Sequence, residues 1–295
     1  MKNIFTRIVN FATGGESGTT GDLSWHLSDG TLTIKGAGAM PDYSNKNIPW
    51  FQFRDNIKNV VIGEGVSYLG TKAFYKHREM TSAIIPNTVT SIGSSAFSGC
   101  KALVSVKIPD SVTTIGYGAF YDCETLTTIN IPNSVTTILD GAFSFCKNLT
   151  SIFISESLEM INSRTFSSCR ELISVTIPDS VTLIRNAAFS SCRQLIAIII
   201  PENVTAIRGA AFSDCRNVAS ITIPASLTDI GRYAFSDVRR LLEIINHATT
   251  PQTIEDNVFN KIDKTRCTLF VPAESIEAYQ AAEVWNEFQI KAIGG

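Results

Sequence analysis

Seven cysteines are the residues best suited to chemistry in this 295-residue chain, and six of them keep a fixed interval. Cys100, Cys123, Cys146, Cys169, Cys192 and Cys215 follow one another at a constant 23-residue step, with Cys267 outside the series. A structural zinc site draws on cysteines or histidines paired at short spacing, such as Cys-x-x-Cys. No two cysteines here lie that close. If the 23-residue segments stack as successive turns, neighbouring cysteines come about 4.8 Å apart, the spacing between strands. That distance alone permits a disulfide, but side chains in an in-register ladder run parallel, and bridging would require backbone movement. The remaining chemistry is that of a small buried hydrophobe with a weak S–H donor. On this reading a serine at Cys146 would bury a hydroxyl without a partner. His26, His77 and His247 are too scattered to build a triad with any nucleophile. Thr13–Gly21 is glycine-rich but contains no Gly-Lys-Ser/Thr, so it is no phosphate loop. Neither catalysis, a cofactor nor a metal is expected.

The cysteines belong to a longer pattern that must position them. Phe74, Phe97, Phe120, Phe143, Phe166, Phe189, Phe212 and Phe235 hold the same 23-residue step, as do Pro86, Pro109, Pro132, Pro178, Pro201 and Pro224. A fixed period of this length marks a repeat solenoid, and 20–29 residues is the range of leucine-rich repeats. One turn reads Leu103-x-x-Val106-x-Ile108-Pro109-x-x-Val112-x-x-Ile115-x-x-x-Ala119-Phe120-x-x-Cys123. Val106 and Ile108, two apart, share one face of a short strand, while Ser105 and Lys107 point the other way. Pro109 lacks a donor and should end the strand. From Val112 to Phe120 the apolar spacing of three and four predicts a turn or helical fragment on the outer side. No single turn buries its own apolar residues; stacked turns align Leu, Val/Ile, Ala, Phe and Cys into a continuous core.

The repeat C-x-x-L-x-x-I-x-I-P-x-S-V-x-x-I-x-x-x-A-F resembles the BspA-like leucine-rich repeats of bacterial surface proteins. Gly21-Asp22-Leu23-Ser24-Trp25, Asp29–Ile34, Gly36–Pro41 and Pro49-Trp50 resemble that family's N-terminal segment. Thr250-Pro251, Cys267–Pro272, Tyr279, Trp285 and Phe288 resemble its closing segment. The resemblance spans roughly residues 21 to 292. It implies a leucine-rich repeat solenoid, a right-handed horseshoe of α/β type with a parallel sheet on its concave face. Turns and short helical segments would form the convex face, with caps at both ends. For function it implies attachment or protein recognition, at a cell surface or after secretion.

Composition agrees with a soluble, folded protein. Apolar residues make up 44% of the chain and the net charge is -2. With a pI near 6.0 the chain lacks the basic footprint of a nucleic-acid binder. No apolar run approaches the ~18 residues of a membrane helix, so membrane insertion is not expected. Met1–Phe11 carries Ile4, Phe5, Ile8, Val9 and Phe11 interrupted by polar residues. It shows no uninterrupted apolar stretch or small-residue cleavage site of a secretory signal, and localisation is left open. The segment predicts a short amphipathic helix, followed by a flexible connector over Thr13–Gly21.

The expected organisation is thus an amphipathic segment and connector at 1–21, an N-terminal hairpin cap at 22–56, the repeat array at 57–245 and a C-terminal cap at 246–295. In the first cap Leu23, Trp25 and Leu27 alternate with polar residues, Asp29-Gly30 supplies a tight turn, and Leu32 and Ile34 alternate on the return. Pro49, Trp50, Phe51 and Phe53 should seal the same end. In the second cap Ile276, Tyr279 and Trp285 predict an amphipathic helix, with Ser275 as its cap.

Charged and outward positions also recur by column. Asp110, Glu156, Asp179 and Glu202 follow the proline position, while Lys101, Lys147, Arg170, Arg193, Arg216 and Arg239 follow the cysteine position or Val238. These predict an acidic and a basic row on different edges, either a solvated rim or a basic strip for an acidic glycan or protein. The strand residues facing away from the core read Val61, Ile84, Lys107, Asn130, Phe153, Thr176, Ile199, Thr222 and Ile245. A neighbouring column is mostly Ser and Thr. The turn from Leu149 to Phe166 departs most from the pattern, with Ser155 for Pro, Met160 for a small residue and Thr165 for Ala. It also holds Phe153, the one aromatic of its column. An aromatic anchor among polar groups has the composition of a binding hot spot. The candidate partner-binding residues are therefore Phe153, Asn130, Thr176, Lys107 and Ile199. The expected function is a non-catalytic scaffold binding a protein or glycan through the concave sheet, in bacterial surface interaction or adhesion. The alternative is an intracellular structural or assembly module.

Overall fold

The computed structural model describes the backbone of residues 7–10 and, in full, residues 15–294. The chain forms two compact units, one ending at Ser155 and the other beginning at Glu156. The boundary falls inside the irregular turn, where serine replaces the proline.

In the first unit, Gly15–Thr20, Leu23–Ser28 and Thr31–Gly36 form an antiparallel meander. Asp29 and Gly30 both take positive φ (48° and 73°), the two-residue turn that matches strand twist in a hairpin. Thr31–Gly36 then pairs in parallel with Asn59–Ile62, which pairs with Ser82–Ile84, and that with Ser105–Val106. The hairpin is thereby the first rung of the parallel ladder. Two expectations need correction here. Arg7–Asn10 is a strand antiparallel to Gly15–Thr20, so no helix runs through those positions, and residues 15–20 are sheet rather than flexible connector. Pairing along the open edge of the hairpin satisfies backbone groups that a short isolated helix would leave marginal. The rest of the predicted N-terminal helix lies outside the described residues.

Each repeat contributes a second strand that the sequence pattern concealed. Gly38–Ala39, Val66–Leu69, Ser91–Ile92, Thr114–Ile115 and Thr137–Ile138 form a separate parallel sheet in the first unit. In the second unit Met160–Ile161, Leu183–Ile184, Ala206–Ile207 and Asp229–Ile230 do the same. Of the turn or helical fragment expected from Val112 to Phe120, the turn forms, after the strand Thr114–Ile115, and the helix does not. Two residues per turn take the left-handed conformation instead, for example Ser95 and Gly99, then Gly118 and Asp122. Between them alternate amides donate to the following turn: Ser95 N to Tyr117 O, Phe97 N to Ala119 O and Gly99 N to Tyr121 O, each at 2.7 Å. The intervening amides close tight turns, as Ala96 N does on Gly93 O and Ser98 N on Ser95 O. Helical i→i−4 bonding is replaced by bonding between turns. Among the described residues the one α-helix is Ile276–Ala281.

The phenylalanines stack. Ring centroids of Phe74, Phe97, Phe120 and Phe143 are 5.2 Å apart step by step, with planes within 24°. Trp50 heads this column at 5.9 Å from Phe74, and its indole N–H donates to Ala73 O at 2.9 Å. In the second unit Phe166, Phe189, Phe212, Phe235 and Phe259 repeat the stack at 5.3–5.8 Å. Trp285 and Phe288 close it edge-on against Phe259.

The second unit's other sheet runs Ala197–Ile199, Ser220–Ile223, Glu243–Asn246, Thr268–Val271 and Gln289–Ala292, all parallel. The inserted Thr250-Pro251 segment is held from inside. Gln252 accepts from Asn246 Nδ2 (2.9 Å) and donates to Leu227 O (2.9 Å), and Tyr279 Oη donates to Ala248 O (3.0 Å). The predicted closing helix is shorter than its apolar pattern. It ends at Ala281, and Trp285 sits in a separate 3-10 turn because Val284 takes φ 69°. Ser275 makes no capping bond; its buried hydroxyl has no partner.

The left-handed positions generate a stability prediction. Ala187 and Ala210 hold φ of 54° and 57°, where earlier turns place Gly118 and Gly141. A Cβ there costs ~1 kcal/mol or more, partly offset by the entropy glycine loses on folding. Ala210→Gly should raise stability by about 0.5–1 kcal/mol in urea unfolding, and Gly118→Ala should lower it by a similar amount.

Candidate functional site

The six regularly spaced cysteines are buried to 0% exposure, and all seven cysteines carry free thiols. The S–H groups are partnered. Cys100, Cys123 and Cys146 donate to the carbonyls of Phe74, Phe97 and Phe120 at 3.1–3.3 Å, and Cys192 and Cys215 to those of Phe166 and Phe189 at 3.3 Å. Each thiol therefore ties the phenylalanine of the preceding turn to its own. Burial pushes the Cys146 and Cys192 thiols up to about 12, far from the thiolate that reactivity requires. The column begins with a histidine: His77 stands 23 residues before Cys100, is fully buried, and packs edge-on to Phe74. Its Nδ1 lies 3.3 Å from Tyr75 O and its Nε2 has no partner. Burial lowers its pKa to about 4, so the neutral ring is the folded form. Among the described residues no cluster of histidine, cysteine and carboxylate groups is arranged to hold a metal.

The charged rows are cross-linked along the stack. Glu124 occupies the basic column and bridges Lys101 and Lys147, each at 2.7 Å. These two ammonium groups hold its carboxyl down at about 2. In the second unit Asp214 engages Arg193 (2.9 Å) and Arg216, and Asp237 engages Arg216 (3.6 Å) and Arg239 (2.7 Å). Five members of the basic row thus have carboxylate partners one turn away or in the same turn. The second acidic column, Asp122, Asp214 and Asp237, precedes the cysteines and was missed because it is interrupted by Phe145, Ser168 and Ser191.

The outward strand positions are where alternation puts them. Phe153 is 50% exposed and pairs across the strands Thr128–Asn130 and Ser151–Phe153 with Asn130, which is also exposed. Lys107, exposed, follows the strand Ser105–Val106 of the preceding turn. In the second unit Ile199 is 66% exposed and pairs with Thr222. Thr176 is exposed as well, but residues 172–178 carry no strand, so the ladder expected at that turn does not form there. The five residues fall into two sets, Lys107, Asn130 and Phe153 in one unit and Thr176 and Ile199 in the other. Alternation does not reveal a further set of exposed residues, Val104 in the first unit and Ile173, Ile196 and Leu242 in the second. Each follows a buried Leu at 103, 172, 195 or 241, where the chain bends into its strand, and only the recurrence of Val, Ile or Leu after that leucine signals it.

Parallel strands rung by rung, one buried Leu, Phe and Cys per turn and a 23-residue period define a solenoid of leucine-rich repeats. A family model for the BspA type leucine rich repeat region matches residues 67–196 and 183–282 in six copies, and the chain belongs to that family. A leucine-rich repeat protein of Eubacterium ventriosum has a similar structure, with 26% identity, a TM-score of 0.56, and 93% of this chain and 83% of that one covered. One from Bacteroides ovatus follows at 24% identity and a TM-score of 0.59, covering 87% and 79%. A leucine rich cell surface protein of Faecalibacterium prausnitzii matches at 22% identity and a TM-score of 0.52, over 95% of each chain. The last two likenesses show the fold alone. No curated protein matches the sequence.

Two outcomes follow from the buried and paired groups. The thiols should stay unlabelled by a thiol reagent in the native protein and react on unfolding. Their raised folded pKa leaves stability intact below the unfolded value of about 8.5, and stability should fall as pH rises above it. Cys146→Ser should cost only about 1 kcal/mol, since the hydroxyl inherits the Phe120 carbonyl that the sequence did not show. The Glu124 carboxyl has the opposite sign. Its contribution is present above the unfolded pKa of about 4.3 and is lost as pH falls toward its folded value. Glu124→Gln should flatten the pH dependence of the melting temperature below pH ~4.5.

Proposed function

We propose that this chain is a non-catalytic recognition scaffold that binds a protein or glycan partner through its outward strand face, in bacterial surface interaction. The observation that supports it most is Phe153, a half-exposed aromatic ring at the end of the strand Ser151–Phe153, paired with exposed Asn130. An aromatic residue of this size is ordinarily drawn into a core, and the folded chain gains little by holding it in water. Ile84 (61% exposed) in the same column of the first unit extends the apolar character, with Lys107 and Asn130 as polar surroundings, and in the second unit Ile199 (66%) stands exposed near Thr176 in the same way. In the horseshoe arrangement of leucine-rich repeats these strands would line the concave face. Side chains there are spaced by the ladder, so a rigid surface meets its ligand with little ordering cost. Membership in the BspA-type family and the description of the Faecalibacterium prausnitzii protein as a cell surface protein are consistent with such a role. The basic row is less suited to it, because five of its six cations are already paired.

Binding of purified protein to a glycan microarray and to a panel of extracellular proteins, with Phe153→Ala alongside, tests this reading. The variant should lose the captured ligand while its melting temperature stays within about a degree, since an exposed side chain contributes little to stability. Retention of every ligand by Phe153→Ala would remove this face from consideration. Ligands lost only at raised ionic strength would shift the site to charged edges. Fractionation of the native cell then decides between a surface role and an intracellular assembly module.

A further inference from the structure

The exposed apolar column of the second unit ends at a cleft. Ile173, Ile196 and Leu242 are 50%, 56% and 54% exposed, and Ala219 between the last two is exposed as well. Successive members are joined through the backbone: Ile196 N donates to Ile173 O (3.2 Å), Ala219 N to Ile196 O (3.0 Å) and Leu242 N to Ala219 O (2.9 Å). At about 4.8 Å per rung, the stripe from Ile173 to Leu242 is roughly 14 Å long. Leu242 and Ala219 also line a surface cleft of about 380 Å³ with Arg239, Arg240, Arg266 and Asp263. The charges there do not cancel. Arg239 is occupied by Asp237 at 2.7 Å. Asp263 spends Oδ1 on the backbone N–H and hydroxyl of Thr265. Arg240 and Arg266 form no ion pair with any described residue, so two guanidinium groups face one aspartate.

We propose that this cleft and stripe bind an extended peptide in which apolar residues lead into a carboxylate. The carboxylate sits on Arg240 and Arg266, whose planar forks match its geometry. The apolar side chains lie on Leu242, Ile196 and Ile173. An extended chain rises about 3.3 Å per residue, so roughly 14 Å takes four or five residues. The occupant is a peptide rather than an acidic glycan because the stripe is aliphatic. Branched side chains complement branched side chains, whereas a sugar ring finds no aromatic face here to stack on. This reading uses none of the five outward residues of the proposed scaffold face and stands or falls separately from it.

The probe is a fluorescein-labelled, C-terminally amidated synthetic peptide, Val-Leu-Val-Leu-Glu-Glu, titrated with the full chain and followed by fluorescence anisotropy. Binding should saturate. It should weaken about tenfold or more when both Glu are replaced by Gln, and equally in the double variant Arg240→Gln, Arg266→Gln. Leu242→Ser should weaken it as well, and Phe153→Ala should leave it unchanged. Both arginines are exposed and unpaired, so the double variant should keep the parent melting temperature; if Leu242→Ser unfolds the chain, the arginine pair decides the question. Equal binding of the Glu and Gln peptides, unaltered binding by the arginine variant, or absence of saturable binding overturns the proposal. So does binding of a polygalacturonate oligosaccharide under conditions where the peptide does not bind.

Discussion

Everything in this chain depends on backbone hydrogen bonding between successive turns. Around Phe74, Phe97, Phe120, Phe166, Phe189 and Phe212 three alternate amides reach into the next turn, and two left-handed residues per repeat bend the chain so that they can. The bonds lie across the stack, so the length of one turn must match the length of the next. That constraint imposes the 23-residue step, and within each unit the step places successive phenylalanine rings a little over 5 Å apart. A helix on that side would satisfy its own amides locally and leave the turns without this cross-bracing. The small residues beside the phenylalanine, Ala96, Ala119 and Ala142, are buried completely, where a larger side chain would push the turns apart.

The same stacking sorts the polar groups. The buried thiols find carbonyl acceptors because the ladder leaves a phenylalanine C=O within reach of the cysteine one turn later. Where the first turn substitutes His77, the larger ring fits but one nitrogen is left without a partner, a cost the cysteine avoids. On the surface the regular step brings side chains of successive turns within ion-pair distance, so Lys101, Glu124 and Lys147 pair along the stack. A row of like charges at inter-strand spacing would repel itself, and the interleaved carboxylates relieve that. Arg240 and Arg266 stand apart, with no carboxylate of a described residue in ion-pair reach, although the neighbouring Lys264 pairs with Glu287 one turn on.

The outward face is the reverse of this economy. Positions there are free of the stacking requirement, and they vary from Lys107 to Asn130 to Phe153. Alternation in the sequence assigned those residues to the surface, and their exposure agrees. The aliphatic column at Ile173, Ile196 and Leu242 was illegible by the same rule, because the chain bends immediately after the buried leucine and a two-residue period does not apply across a bend. Serine at 155 shows the limit from another side. It reads as a lost proline, yet its hydroxyl is buried and donates to Val135 O at 2.6 Å, a local substitute that only coordinates display.

By itself the sequence determined the repeat length, the strand before Pro86, Pro109, Pro132, Pro201 and Pro224, the inward and outward sides of that strand, and the aromatic closures at Trp50 and Trp285. These follow from period and residue type, which are local properties that stacking merely repeats. The tertiary structure decided what lies between. It set a second short strand where apolar spacing suggested a turn or helical fragment, a strand at Arg7–Asn10 in place of a helix, and a closing helix cut off by Val284. It also chose which charges pair and which remain open, as at Arg240 and Arg266. Such choices depend on the carbonyl or carboxylate that a neighbouring turn presents at about 3 Å, and no pattern read along one turn contains the atoms of the next.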